Sequence, residues 1–246
     1  MPILKAKGVT RYFGGLAAVS NVDFELRQGE ILGLIGPNGA GKTTLFNLIS
    51  AAMSPRSGSI MFRDREIVGL KPHQICRMGV ARTFQTVKVF SNMSALHNVL
   101  LGAYFGRQDR MATTDAVSEA TALLEFVELA EAAETPAKDL TLASQKRLEV
   151  ARALATQPKV LLLDELMEGL NPSEVVRAMS LVKRIQERGV TVVMIEHVMR
   201  AIMSVCDRII VLHHGAKIAE GTPEEISANQ QVVEVYFGEG TDAANT

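Results

Sequence analysis

The stretch GEILGLIGPNGAGKTTLFNLIS, Gly29 to Ser50, decides the fold. It opens on a short apolar run, passes through a glycine-rich turn and closes with helical residues. That order reads as a buried strand, a tight turn and a helix. Within it, GPNGAGKT (Gly36–Thr43) fits G-x-x-x-x-G-K-[ST] in full. Glycines let backbone N–H groups close around phosphate oxygens, Lys42 reaches the terminal phosphates, and the Thr43 hydroxyl holds Mg²⁺. The cradle alone does not separate kinases, GTPases, motors and transport ATPases.

A second stretch, VLLLDE (Val160–Glu165), supplies the acids. A buried strand would deliver Asp164 at its C-terminal end, where α/β sheets place ligands. Asp164 is expected to hold Mg²⁺ through water. Glu165, the next residue, is placed to orient or deprotonate an attacking water.

Around these two stretches the chain alternates. Strands are expected near Ile3–Val9 and Val22–Leu26, and GSIMFRDREI reads as a hairpin strand with Gly58 as its turn. A helix starts near Pro72 and gives way to a strand ending at Gln85. Residues from about Val89 to Lys138 are Ala- and Leu-rich with helical periodicity and no evident strand, which marks an inserted helical lobe, expected over 89–157 with the signature segment. Then come helix 145–156, strand 160–164, helix 173–188, strand 190–195, helix 198–206 and two strands joined at His213–Gly215. Such alternation implies a parallel central sheet with helices on both faces. The domain is expected over 1–238, with its core in 1–88 and 158–238, and residues 239–246 as a disordered tail.

Composition narrows the partners. With 246 residues and 47% hydrophobic content, the chain suits one domain carrying a lobe. A net charge of −1 argues for neither nucleic acid nor an acidic membrane surface as partner. Cys76 and Cys206 lack metal-ligand spacing and read as two reduced thiols of a cytosolic protein. The start shows no secretory signal. No apolar run reaches the roughly 18 residues needed to span a bilayer, so a membrane role would come through a partner.

At this point the chain resembles the ATP-binding cassette ATPases over nearly its whole length. GPNGAGKTT and LLLDE match that family's Walker A and Walker B segments, RTFQ its Q-loop, and MIEH its switch histidine. The resemblance implies a P-loop NTPase of the RecA-like α/β class. Such a fold has a parallel central sheet, an antiparallel β subdomain and an inserted α-helical lobe. It implies ATP and Mg²⁺ as cofactors. The nucleotide segment would be Gly36, Pro37, Asn38, Gly39, Ala40, Gly41, Lys42, Thr43 and Thr44. Gln85 would sense Mg²⁺ and water, joining Thr43 and Asp164 at the metal, and His197 would contact the γ-phosphate. Phe13, in VTRYFGG, stands where the family stacks the adenine, with Tyr12 as the neighbouring candidate; either could instead belong to the core. Asn171, in MEGLNP, looks like part of the D-loop at the dimer interface.

Two longer segments, RTFQTVKVFSNMSALHNVLLGAY and IAEGTPEEISANQQVVEVYFGE, are similar to the ATPase subunits of branched-chain amino acid importers and relatives handling small polar solutes. The partners so implied are a second cassette, identical or sister, membrane permease subunits and, indirectly, a periplasmic solute-binding protein. The place implied is the cytoplasmic face of the inner membrane. Two other readings remain: a cassette for lipid or polysaccharide export, and a nucleotide-gated module that hardly hydrolyses ATP.

The second of these rests on LTLAS, Leu140–Ser144. Family members carry L-S-G-G-Q or L-S-Y-G-Q there, and the motif binds the γ-phosphate held by the opposite subunit. Thr141 keeps a hydroxyl, Ala143 replaces a glycine and Ser144 replaces the glutamine. The added methyl of Ala143 is expected to block close approach or to exclude a left-handed backbone. Ser144 is expected to cap the following helix. Leu166 stands where the family usually has proline, and LME replaces small residues before Gly169. In a heterodimer with a second cassette carrying an intact signature, a weakened LTLAS would leave this chain's own ATP well hydrolysed and its partner's poorly.

Overall fold

The computed structural model describes residues 1–107 and 112–237. The tail expected at 239–246 lies outside them. In chain order come β1 (Pro2–Phe13), β2 (Leu16–Arg27), β3 (Ile31–Ile35), α1 (Lys42–Ile49), β4 (Ser57–Phe62) and β5 (Arg65–Glu66). Next are α2 (Pro72–Met78), β6 (Val80–Arg82), α3 (Ala95–Phe105), α4 (Thr113–Phe126), α5 (Leu142–Leu154), β7 (Val160–Asp164) and α6 (Pro172–Glu187). The chain then runs through β8 (Thr191–Ile195), α7 (Met199–Val205), β9 (Arg208–His213), β10 (Ala216–Gly221), α8 (Pro223–Ser227) and α9 (Gln230–Phe237). Backbone contacts divide it into two compact units, Met1–Leu70 with the residues from Thr191 on, and Lys71–Val190.

The first unit holds two sheets. One is antiparallel in the order β2-β1-β4-β5. In the other, β3 runs parallel to both β8 and β9, and β10 pairs antiparallel to β9 at the edge. All five residues of β3 and of β8 are buried, the continuous apolar signature of a strand covered on both faces. The register Leu34↔Ile195 brings the C-terminal ends of β3 and β8 side by side.

The second unit is mostly helical, and its strands β6 and β7 run parallel with Arg82 opposite Leu162. Among the described residues, no strand lies between 89 and 157. No described helix is long and apolar enough to cross a membrane.

Several expectations need correction. Gly58 is not a turn: it lies inside β4 at φ 92°. A Cβ there would stand 2.4 Å from the Gly8 carbonyl oxygen, so close strand approach demands the glycine. The turn falls at Arg63 and Asp64, both left-handed with φ 48° and 60°. The strand expected to end at Gln85 stops at Arg82. The first two strands are 12 residues each, because they pair with one another through Phe13↔Leu16 across a turn at Gly14–Gly15. Helices α8 and α9 went unread, although Thr222–Glu225 carries a capping-box pattern that forms as such.

One buried ion pair ties the first unit together. Arg208, at the start of β9, places Nη2 2.6 Å from Glu30 Oε1, with side chains 10% and 8% exposed. Removing one partner of a buried pair strands a charge, so Arg208→Met is expected to lower unfolding stability by about 3–5 kcal/mol. Urea unfolding would measure this, and a loss under about 1 kcal/mol would mean the pair is not structurally required.

Candidate functional site

The cradle is built by what the loop touches. Gly36 has φ 152° and Gly41 φ 102°. A Cβ on Gly36 would stand 2.2 Å from the Leu212 carbonyl oxygen, and one on Gly41 2.2 Å from that of Ala18. The loop therefore closes only with glycine at both places. Gly39, also left-handed at φ 79°, meets nothing within 4 Å and needs glycine for its backbone alone. Helix α1 starts after Gly41 with no side-chain cap and no acid in its first turn. Its leading N–H groups and dipole suit an anion. Lys42 is buried, and its ammonium donates to the Gly36 and Pro37 carbonyls at 2.6 and 2.9 Å. Pro37 is half-buried, Ala40 is buried, Asn38 and Thr43 are exposed and Thr44 is half-exposed.

His197 follows the end of β8 and is exposed. Because β3 and β8 are adjacent parallel strands, the cradle and His197 leave the sheet at the same end. Phe13 ends β1 at 47% exposure and Tyr12 is 41% exposed, so neither is core. The Arg11 guanidinium lies 5.5 Å from the Phe13 ring centroid.

A contribution that sequence reasoning missed comes from α9. Burial pushes the Tyr236 phenol up to about 12, against a hydrogen bond from the Gly36 backbone that acts the other way. The C-terminal helix thus reaches the first glycine of the cradle.

In the second unit, β7 delivers the acids. Asp164 is 3% exposed and its Oδ2 accepts from Arg82 Nη2 at 2.7 Å. Its backbone N–H donates to the Thr83 hydroxyl at 3.2 Å. Its other oxygen, Oδ1, is buried and accepts no hydrogen bond. A buried carboxylate oxygen without a donor fits a ligand to a Mg²⁺ ion or to its water. The described residues contain no cluster of three His, Cys, Asp or Glu side chains suited to a metal. A Mg²⁺ held there would take most of its ligands from phosphate and water. Glu165 is buried at φ 52°, a left-handed backbone uncommon for glutamate. Strain of this kind gathers at functional sites.

Gln85 is exposed and lies beyond the end of β6. The segment around it is held by a residue with no obvious sequence signal. Glu149 of α5, 3% exposed, accepts from the Phe84 and Lys88 backbone N–H groups at 3.4 and 3.2 Å.

The segment LTLAS takes a shape its sequence did not suggest. Helix α5 begins at Leu142, so Leu142, Ala143 and Ser144 form its first turn. Thr141, not Ser144, is the N-cap, accepting from the Ser144 N–H at 3.3 Å. Ala143 is right-handed, so its methyl excludes no left-handed conformation. Leu166 and Met167, the departures after Glu165, are buried, and Leu166 lines a cavity of about 220 Å³ together with Thr141, Ala143 and Lys146. Asn171 caps α6 through the Ser173 and Glu174 N–H groups at 3.1 and 3.0 Å.

Similarity to known proteins agrees with this chemistry. The model of the ABC transporter family matches residues 19–168, and that of the branched-chain amino acid ATP-binding cassette transporter matches 216–242. The chain belongs to the ABC transporter family. It is an ATPase cassette, of the α/β P-loop class. It is 42% identical, over 97% of its length and 98% of the relative's, to the high-affinity branched-chain amino acid transport ATP-binding protein LivG of Salmonella typhimurium. Its identity to the corresponding protein BraF of Pseudomonas aeruginosa is 41%, over 97% and 98%. An ATP-binding cassette of an ABC transporter, crystallised in its ADP conformation, superposes with a TM-score of 0.88 at 29% identity, covering 97% of this chain and 99% of the other. A dimeric cassette in a post-hydrolysis state with ADP and Pi gives 0.80 at 27% identity, covering 89% and 98%.

The held Glu149 carries a pH consequence. Burial pushes its carboxyl up, opposed by the Lys88 N–H and the Arg152 charge. The folded chain then keeps this proton to a higher pH than the unfolded chain, so folding takes up a proton in that window. Stability contributed here is present below the unfolded pKa and falls as pH rises through the folded one. Glu149→Gln is expected to flatten that decline in urea unfolding across a pH series; an unchanged slope would remove the assignment.

Proposed function

We propose that this chain is the ATP-hydrolysing subunit of an importer for branched-chain amino acids or similar small polar solutes. The observation that carries the reading is the 42% identity to LivG along 97% of the chain. An intact cradle, Glu165 and His197 support it. Two cassettes, identical or sister, would close on ATP at the cytoplasmic face of the inner membrane. Permease subunits would dock on them, and a periplasmic binding protein would deliver the solute.

In this scheme Gly36–Thr44 bind the phosphates through backbone N–H groups, and the Lys42 ammonium leaves its loop carbonyls to pair with the terminal phosphates. Phe13 stacks the base. Thr43, Asp164 and Gln85 would hold Mg²⁺, which when bound would neutralise developing phosphate charge. Glu165 takes a proton from water as the water oxygen bonds to the γ-phosphorus and the bond to the β-phosphate oxygen breaks. His197 contacts the γ-phosphate. Thr141, Ala143 and Ser144 serve the partner's nucleotide through the N-terminus of α5. The Thr141 cap and the unstrained Ala143 favour a working signature over a merely nucleotide-gated module.

The test is ATP hydrolysis by the full chain over a wide range of protein concentration. Glu165→Gln is expected to keep ATP binding and lose at least about 100-fold in turnover. Lys42→Ala is expected to lose ATP binding. Specific activity rising with concentration would mean that the LTLAS of one chain serves the other; flat, near-blank activity with firm ATP binding would mean a sister cassette supplies the signature. Turnover surviving Glu165→Gln would overturn the mechanism. Deleting the chain is expected to abolish high-affinity uptake of leucine, isoleucine and valine, and unchanged uptake would overturn the solute class.

A further inference from the structure

Glu165 keeps its left-handed backbone, φ 52°, without the freedom of glycine. A residue of its type stays there only where its surroundings over-determine it. One such constraint comes from α5. The Lys146 ammonium donates to the backbone carbonyl oxygen of Glu165 at 2.7 Å, and the two residues are each 5% exposed. A buried ammonium is costly unless well bonded, and an ionic donor to a carbonyl in a low-dielectric setting is among the stronger hydrogen bonds available. A lysine on an ordinary helix face would extend into water. This one turns inward and donates to the peptide group that sets where the acid points.

The position of Lys146 gives the contact a second meaning. It lies on α5 five residues beyond Thr141, the residue that caps the helix and begins its signature turn. Thr141, Ala143, Lys146 and Leu166 also line one cavity, so the start of the helix, the lysine and the residue after Glu165 share a wall. Any displacement of the first turn of α5 moves the donor that holds the Glu165 carbonyl.

We propose that Lys146 is a positioning residue for Glu165, tying the aim of the acid to the seating of α5. This rests on the reading of Glu165 as the group that takes the proton from water. Under it, the helix turn that meets the partner's nucleotide also sets the acid of its own chain. The two sites of a closed pair are then coupled through the body of each subunit.

The experiment compares Lys146→Met, Lys146→Arg and Glu165→Gln in the full chain, under conditions where the wild type hydrolyses ATP. Lys146→Met is expected to lose at least about tenfold in kcat, the scale of a sub-ångström misplacement of a reacting group, with KM and ATP affinity within about twofold of wild type. Lys146→Arg, which can donate to the same carbonyl, is expected to recover most of the loss. Wild-type kcat in Lys146→Met would overturn the inference. So would a parallel loss of kcat and ATP affinity, or an arginine variant no better than the methionine one. If Lys146→Met does not fold, Lys146→Gln, a neutral donor, is expected to fall between wild type and Glu165→Gln, and wild-type turnover in it overturns the inference. Turnover surviving Glu165→Gln would remove the role given to Glu165 and this inference with it. Turnover lost in Glu165→Gln but kept in Lys146→Met removes the inference alone.

Discussion

The loop between β3 and α1 is pressed against its own sheets at two points that admit no side chain. At Gly36 the obstacle is the Leu212 carbonyl at the end of β9, and at Gly41 it is the Ala18 carbonyl in β2. The loop is fixed from both sides, with Gly215 N–H donating to the Ala40 carbonyl and Tyr236 bearing on Gly36. So the uncapped start of α1 points where the two sheets aim it. A phosphate site made of backbone N–H groups works only when those groups are already in place, since flexible ones would pay their ordering entropy on binding. The cradle is therefore as much a product of β2, β9 and α9 as of its own eight residues.

The second unit solves a different problem. It holds two carboxylates at the end of a buried strand, where charge is expensive. Asp164 is balanced by Arg82 on the neighbouring parallel strand, which leaves Oδ1 unpartnered. Glu165 is turned into a left-handed conformation and pinned by Lys146. Each is a local cost, and both fall on consecutive residues. Rules of polar satisfaction and backbone comfort are broken together mainly where function requires it.

Helix α5 connects these features to the rest of the unit. Its first turn is the LTLAS segment, Lys146 reaches Glu165, and Glu149 holds the segment around Gln85. Spacings of three to five residues along one helix place all three jobs on a single rigid body. The departures in LTLAS look severe as letters. In the helix they matter less, because an α-helical first turn presents backbone N–H groups whatever the side chains, and alanine is the residue that fits it best.

The sequence by itself settled the parts whose signals are local. The strand-turn-helix of Gly29–Ser50 and the strand Val160–Asp164 stand where apolar runs and glycines put them, as does the order of elements through β10. The cradle and the two acids were legible for the same reason: each is a short motif whose chemistry sits in adjacent residues. The tertiary structure alone decided what depends on partners far along the chain. Twelve-residue β1 and β2 exist because each supplies the other's hydrogen bonds, and Gly58 is needed because β1 passes too close for a Cβ. Lys146 and Glu149 carry no motif, and Arg82 and Tyr236 lie inside quoted segments without their own contacts being legible there. They look like ordinary charged or aromatic helix and strand residues until folding buries each against a backbone or carboxylate group whose position no local pattern specifies. Periodicity fixes which face a residue occupies, but the group it meets there is set by long-range packing, where one buried contact outweighs the local preferences.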